Sequence, residues 1–143
     1  MRWPAEVDPA VPGHVAVEEL LRYDSPVQAS RRITLEPVTI SGTTIPAGAF
    51  VMASLGSANR DERFWGADAG ELRLSRENAR QHVSFGGGPH HCLGASLARL
   101  EGQIAIATLL RRAPELRLAS PPASLRWRGG MVLRGLASLP VEF

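Results

Sequence analysis

Three consecutive glycines, Gly86-Gly87-Gly88, stand just ahead of the only cysteine, Cys92, and a long apolar periodic segment begins directly after it. That order constrains the fold more than any other feature. Glycine has no Cβ, so such a loop lets the backbone lie close to something large and flat. The segment from about Leu93 to Arg112 reads as a helix. Leu97, Leu100, Ile104 and Ala107 share one face, while Ile106, Leu109 and Leu110 fall elsewhere. A helix apolar nearly all round is expected to be buried, and Pro114 marks its end. Cys92 thus lies at the positive end of a helix dipole, a place that favours an anion.

One cysteine excludes a disulfide within the chain and makes the reduced cytoplasm the expected compartment. A length of 143 residues allows one modest domain, and 44% hydrophobic residues suffice for a core. All 16 basic residues are arginine, set against 14 acids; the net charge of +2 with no basic tract gives no sign of nucleic-acid binding. No apolar run reaches the roughly 18 residues a membrane span requires. Met1-Arg2-Trp3-Pro4 lacks the apolar core of a signal peptide. No membrane association is expected.

Residues 1–14, rich in proline and acids, read as an irregular lead-in. Val15 to Tyr23 reads as a short helix stopped by Ser25-Pro26. Ile33–Leu35 and Val38–Ile40 read as strands, with Ser41-Gly42 a tight hairpin turn and Pro46-Ala47-Gly48 a second turn. Phe50 to Leu55 then reads as a buried strand. Residues 58–81 mix Asn, Arg, Asp and Gly with isolated aromatics and read as a long ordered meander, a kind of segment that is usually functional or packed on something. Leu125 to Phe143 reads as one or two hairpins.

Taken alone, Cys92 has three readings: a buried structural cysteine, a redox or nucleophilic thiol, or a metal ligand. The flanking residues bear on the choice. Phe85-Gly86-Gly87-Gly88-Pro89-His90-His91-Cys92-Leu93-Gly94 resembles the haem-binding signature of the cytochrome P-450 family. Leu97-Ala98-Arg99-Leu100-Glu101 is similar to the start of that family's next helix in its bacterial-type form. Glu19-Leu20-Leu21-Arg22 resembles its Glu-x-x-Arg helix. Arg31-Arg32-Ile33 with Ile45-Pro46-Ala47-Gly48 resembles the strands beside the haem. Asn59-Arg60-Asp61 resembles the opening of its meander, and Leu133-Arg134-Gly135-Leu136 with Leu139-Pro140-Val141 its closing strands.

The resemblance implies a mixed α and β chain from a mainly α family: a single partial domain over 1–143, the C-terminal third of the fold. It implies haem b with Cys92 as the axial ligand, a role that favours O–O cleavage. Phe85 would shield the sulfur side. Gly86, Gly94 and Ala98 would let the backbone and helix lie against the porphyrin. Arg32 and His90 would hold the propionates, since a guanidinium suits a carboxylate; His91 is the rival, and the family pattern two positions before the cysteine selects His90. His14 and His82 take no role and are expected to be structural or exposed. Glu19 and Arg22 would form a buried ion pair, which needs further partners to offset desolvation. In the family an arginine often completes that pair; here Glu71 falls at the matching position, with Arg73 and Arg76 nearby.

The implied activity is that of a haem-thiolate monooxygenase oxidising a small organic substrate with O2 and electrons from a ferredoxin or flavin reductase. Arg99, Arg111 and Arg112 would add positive charge to the docking face. Nothing in the sequence matches the family's long central helix with its acid–alcohol pair, so no catalytic residue of the distal side is identified. A missing N-terminal part is one expected partner. The alternative is a truncated, non-catalytic remnant or a haem-binding module. The helix after Cys92, short of its packing partners, is expected to leave an exposed apolar patch and a marginally stable chain.

Overall fold

A computed structural model describes residues 13–143; most of the expected irregular lead-in, 1–12, lies outside these. Helix α1 spans His14–Tyr23, and the chain then builds two antiparallel hairpins. Strand β1 (Ala29–Ile33) pairs with β4 (Phe50–Ser54), Arg32 standing opposite Val51. Between them β2 (Val38–Ile40) pairs with β3 (Thr43–Ile45). The turn joining that inner pair is Ser41-Gly42, with φ of 50° and 80°. Two positive φ values match the twist a two-residue hairpin needs, and glycine takes the second at no steric penalty.

Two single-turn helices follow, α2 (Leu55–Ala58) and α3 (Glu62–Trp65), each capped by a side chain: Ser54 Oγ accepts from the Ser57 amide, Asp61 from the Arg63 amide. Turns and a short 3-10 helix at Ala79–Gln81 lead to the cysteine loop. Helix α4 covers Ala95–Arg112. Strand β5 (Arg117–Leu118) pairs with β6 (Val141–Glu142). Isolated bridges Trp127↔Leu136 and Val27↔Leu133 tie the tail to itself and to the segment just before β1, so the tail makes one narrow hairpin of its own and returns to that segment and to β5.

Three sequence expectations change. The first strand lies earlier, at Ala29–Ile33, and Leu35 is left exposed in a bend. Strand β4 is not buried: Phe50 is 64% exposed and Met52 41%. Helix α4 starts at Ala95, because Gly94 acts as its cap, and only Ala95 of it is buried. Leu97, Leu100, Ile104 and Leu109 all stand exposed. The apolar residues that predicted burial thus form the open face expected of a helix short of partners. Where α4 does pack, it packs closely: a Cβ on Gly102 would lie 3.2 Å from Val17 Cγ1 of α1.

The largest wholly buried side chains among the described residues are polar: Arg22, Glu19, Asn59 and Ser25. Besides Val17 and Leu74, the buried apolar residues are small alanines (Ala16, Ala29, Ala69, Ala79, Ala95) and Trp65. Trp65 donates Nε1–H to the Ala58 carbonyl at 2.9 Å, and its ring lies under the Arg22 guanidinium at 5.1 Å. A hydrogen-bonded ion cluster, rather than a greasy centre, organises this chain.

Candidate functional site

That cluster fixes the segment from which the cysteine loop departs. Arg22 uses all five of its N–H donors. Nε and Nη2 meet the two Glu19 oxygens at 2.6 and 2.9 Å. The rest go to the carbonyls of Asn59, Ala69 and Glu71 at 2.7, 2.8 and 2.9 Å. Glu19 Oε1 also accepts from the Arg73 amide at 2.9 Å and Arg76 Nε at 3.2 Å. The third charged member is therefore Arg76, which Asp68 also holds. Glu71, the residue at the aligned position, contributes only its carbonyl; its side chain has no part in the pair.

Burial pushes the Glu19 carboxyl up. The hydrogen bonds from Arg22, Arg73 and Arg76 outweigh this and hold it below its ordinary value of 4.5. The unfolded chain then binds more protons than the folded one just below that value, so stability falls with falling pH. The Glu19 contribution is complete above 4.5 and is lost as the pH drops through the lower folded value. His82 acts in the same direction from a higher starting point, since burial, opposed by Glu18, lowers its pKa from 6.5. Urea unfolding at stepped pH is expected to show stability declining below neutrality and falling further below the carboxylate range. Glu19→Gln should flatten the second fall.

Asn59 carries this order onward. Its Nδ2 donates to Ser84 Oγ and its Oδ1 accepts from the Val83 amide, each at 2.8 Å. Ser84 Oγ donates to the Leu21 carbonyl at 2.8 Å. The chain entering the glycine loop is thus pinned to α1 and to the turn after α2. Asn59 was legible only as part of a short motif; its linking role depends on contacts between segments far apart in sequence.

The loop closes on itself. The Cys92 amide donates to the Phe85 carbonyl at 2.9 Å, and the Cys92 carbonyl accepts from Ala95 at 3.2 Å, in the first turn of α4. Gly86 has φ of 73°, a conformation that favours glycine, and a Cβ there would make ordinary contact with the His90 carbonyl at 3.4 Å. Gly94 lies beside the thiol, its Cβ position 3.8 Å from Cys92 Sγ. Ala98 follows one turn on, its amide bonded to the Gly94 carbonyl at 2.9 Å. Cys92, Gly94 and Ala98 are exposed, and Leu93 is fully so.

Phe85, Gly86, His90, Cys92, Gly94 and Ala98 therefore share one loop and the helix turn after it. Of the two histidines, His91 turns its ring toward Phe85 at 6.3 Å; His90 stands exposed at the end of a short 3-10 helix, Gly88–His90. Arg32 belongs to a separate hairpin. It is exposed, donates to Ser30 Oγ and the Arg31 carbonyl, and has no carboxylate partner among the described residues. His82 is buried rather than exposed, and bonded to Glu18. Arg99 is no free surface charge: it pairs with that same Glu18.

This arrangement fits a flat iron-bearing macrocycle with carboxylate arms. The exposed thiol has Gly94 next to it, and exposed apolar Leu93 and Leu97 lie in the loop end and the helix turn that follow. Among the described residues, no group of three or more His, Cys, Asp or Glu is placed to hold a metal. An iron at Cys92 would take its other donors from a prosthetic group. No described helix is long and apolar enough to cross a membrane.

Comparison with known proteins bears on the same residues. The family model described as cytochrome P-450 matches residues 14–131. Cytochrome P-450 107B1 of Saccharopolyspora erythraea is 50% identical over 138 residues, covering 94% of this chain and 33% of that protein. Vitamin D(3) 25-hydroxylase of Pseudonocardia autotrophica is 51% identical over 127 residues, covering 88% of this chain and 31% of that protein. Among solved structures, GfsF superposes with a TM-score of 0.89 at 41% identity, over 97% of this chain and 36% of that one. The tirandamycin C-bound monooxygenase TamI gives 0.84 at 48% identity, over 90% and 32%. The chain spans about a third of the length of the curated relatives it matches.

Proposed function

This chain belongs to the cytochrome P-450 family, and from that premise we propose that it forms the proximal half of a haem-thiolate site. Haem b would be the ligand, with Cys92 Sγ as the protein's donor to its iron. The observation that carries the reading is the open thiol of Cys92, held in a loop closed by the Phe85 carbonyl and flanked by Gly94.

Bound there, the haem iron supplies the oxygen-activating chemistry, which a thiolate ligand favours. The protein's part is positional. Gly86 and Gly94 keep the loop low, and Ala98 keeps the helix surface flat. Phe85 covers the sulfur side. Arg32 and His90 offer N–H donors to the propionates, the guanidinium as a planar fork. In the whole protein these residues serve a monooxygenase acting on a small organic substrate, with electrons from a ferredoxin or flavin reductase, in the cytoplasm. The exposed apolar face of α4 favours a second reading for the 143-residue chain by itself, a haem-binding remnant without turnover.

The test is reconstitution of the chain with haem, reduction, and addition of carbon monoxide. A red-shifted Soret band, the mark of thiolate-ligated iron, is expected. Its absence with haem bound overturns the reading. Substrate turnover with a reductase present separates the enzyme from the remnant.

A further inference from the structure

A second cluster of buried charge lies behind the cysteine loop. Glu18, 3% exposed on α1, accepts from Arg99 Nε at 2.6 Å and Nη2 at 3.2 Å, and its Oε2 meets His82 Nε2 at 3.0 Å. The Ser84 amide donates to His82 Nδ1 at 3.1 Å. That bond assigns the tautomer: Nδ1 accepts, so Nε2 carries the hydrogen and donates to Glu18. The cluster is then one anion, one cation and one neutral imidazole, with both carboxylate oxygens engaged.

Both partners of Glu18 are aimed at one ring. The Arg99 guanidinium lies 4.7 Å from the centroid of Phe85, and the His82 ring lies 5.7 Å from it. Phe85 in turn holds Cys92 through its carbonyl at 2.9 Å. We propose that Glu18, Arg99 and His82 are positioning residues for Cys92: a buried carboxylate fixes a guanidinium and an imidazole, these fix the Phe85 ring, and Phe85 sets the place of the thiol. A guanidinium locked by a bidentate pair stacks in one place, whereas a free one samples many. The arrangement thus ties the geometry of the cysteine loop to the packing of α4 on α1.

The link to Cys92 is read in the haem-free 143-residue chain; only its consequence for the iron rests on the haem-thiolate reading. The rate of Cys92 alkylation by iodoacetamide reports the exposure and setting of the thiol. Arg99→Leu is expected to change that rate about fivefold, the scale of one partly desolvated cation–π contact, with the far-UV circular dichroism unchanged. Arg80→Leu removes an equal charge from an exposed site and should leave the rate as it is. In a Phe85→Leu background, Arg99→Leu should no longer act, because the ring that transmits it is gone. A wild-type rate in folded Arg99→Leu, or an undiminished effect without Phe85, overturns the proposal. If Arg99→Leu loses its helical signal, Arg99→Lys replaces it. Lysine keeps the charge opposite Glu18 without the planar stack and should still move the rate about twofold; an unchanged rate there is equally decisive against the proposal. With haem added, the carbon monoxide band should weaken or shift in Arg99→Leu and not in Arg80→Leu. If the wild-type chain gives no thiolate band while the alkylation pattern holds, the haem reading fails and the positioning role stands.

Discussion

Arg22→Leu is expected to lower the unfolding free energy by about 3–5 kcal/mol, the usual consequence of removing one partner from a buried ion pair. The side chains of Arg22 and Glu19 are both 0% exposed. Without the guanidinium, Glu19 keeps Arg76 at 3.2 Å and the Arg73 amide but loses both bonds to its nearest cation. The carbonyls of Asn59, Ala69 and Glu71 lose a donor together. These carbonyls belong to the meander that carries the chain from β4 to the cysteine loop. Domains of ordinary size are stable by only about 5–15 kcal/mol, so the variant should show no cooperative urea transition or a much earlier one. Arg22→Lys should fall between: it restores the charge but cannot span five acceptors with three N–H bonds. A wild-type midpoint for Arg22→Leu would show that the cluster does not organise the fold.

Cys92→Ala is expected to do the opposite: no change of fold and complete loss of the thiolate band. Cys92 is exposed, and its structural bonds are made by its backbone amide and carbonyl, which alanine keeps. Surface substitutions of this kind change stability by about 0.5 kcal/mol or less. Alanine offers no donor to iron, so the red-shifted band seen with carbon monoxide should vanish while the urea midpoint stays. A band that survives Cys92→Ala makes Cys92 the wrong ligand. A midpoint that collapses gives the thiol a structural role. Together the two variants separate what holds the chain together from what it offers to a cofactor.

Much of the cysteine loop that forms the candidate site was legible in order along the chain. Phe85, Gly86, Cys92, Gly94 and Ala98 are near neighbours in sequence, and their relation is set by local geometry: a closed loop, a glycine at positive φ, and the first turn of a helix. The Ser41-Gly42 turn was legible for the same reason. Burial was not. Apolar content predicted a buried β4 and a buried α4, yet Phe50, Met52, Leu97 and Ile104 stand exposed. Periodicity tells which residues could face a core and says nothing of whether a core is there to receive them.

The third partner of Glu19 and Arg22 shows a further limit. The motif put Glu71 at the matching position with Arg73 and Arg76 nearby and left the role open; space gave it to Arg76, because the turns at 66–76 bring carbonyl 71 inward and the Arg76 side chain back across Asp68. His82 and Arg99 had no assigned role and a solvent-facing one respectively. Both are joined to Glu18, from which they lie 64 and 81 positions away. Sequence by itself determined the cysteine loop, its glycines and the helix that follows, since these depend on neighbours a few bonds apart. Only the tertiary structure decided which charges are buried together, and which of them stand behind the thiol. An ion pair across the fold is selected by where backbones pack, and that packing is a property of the whole chain.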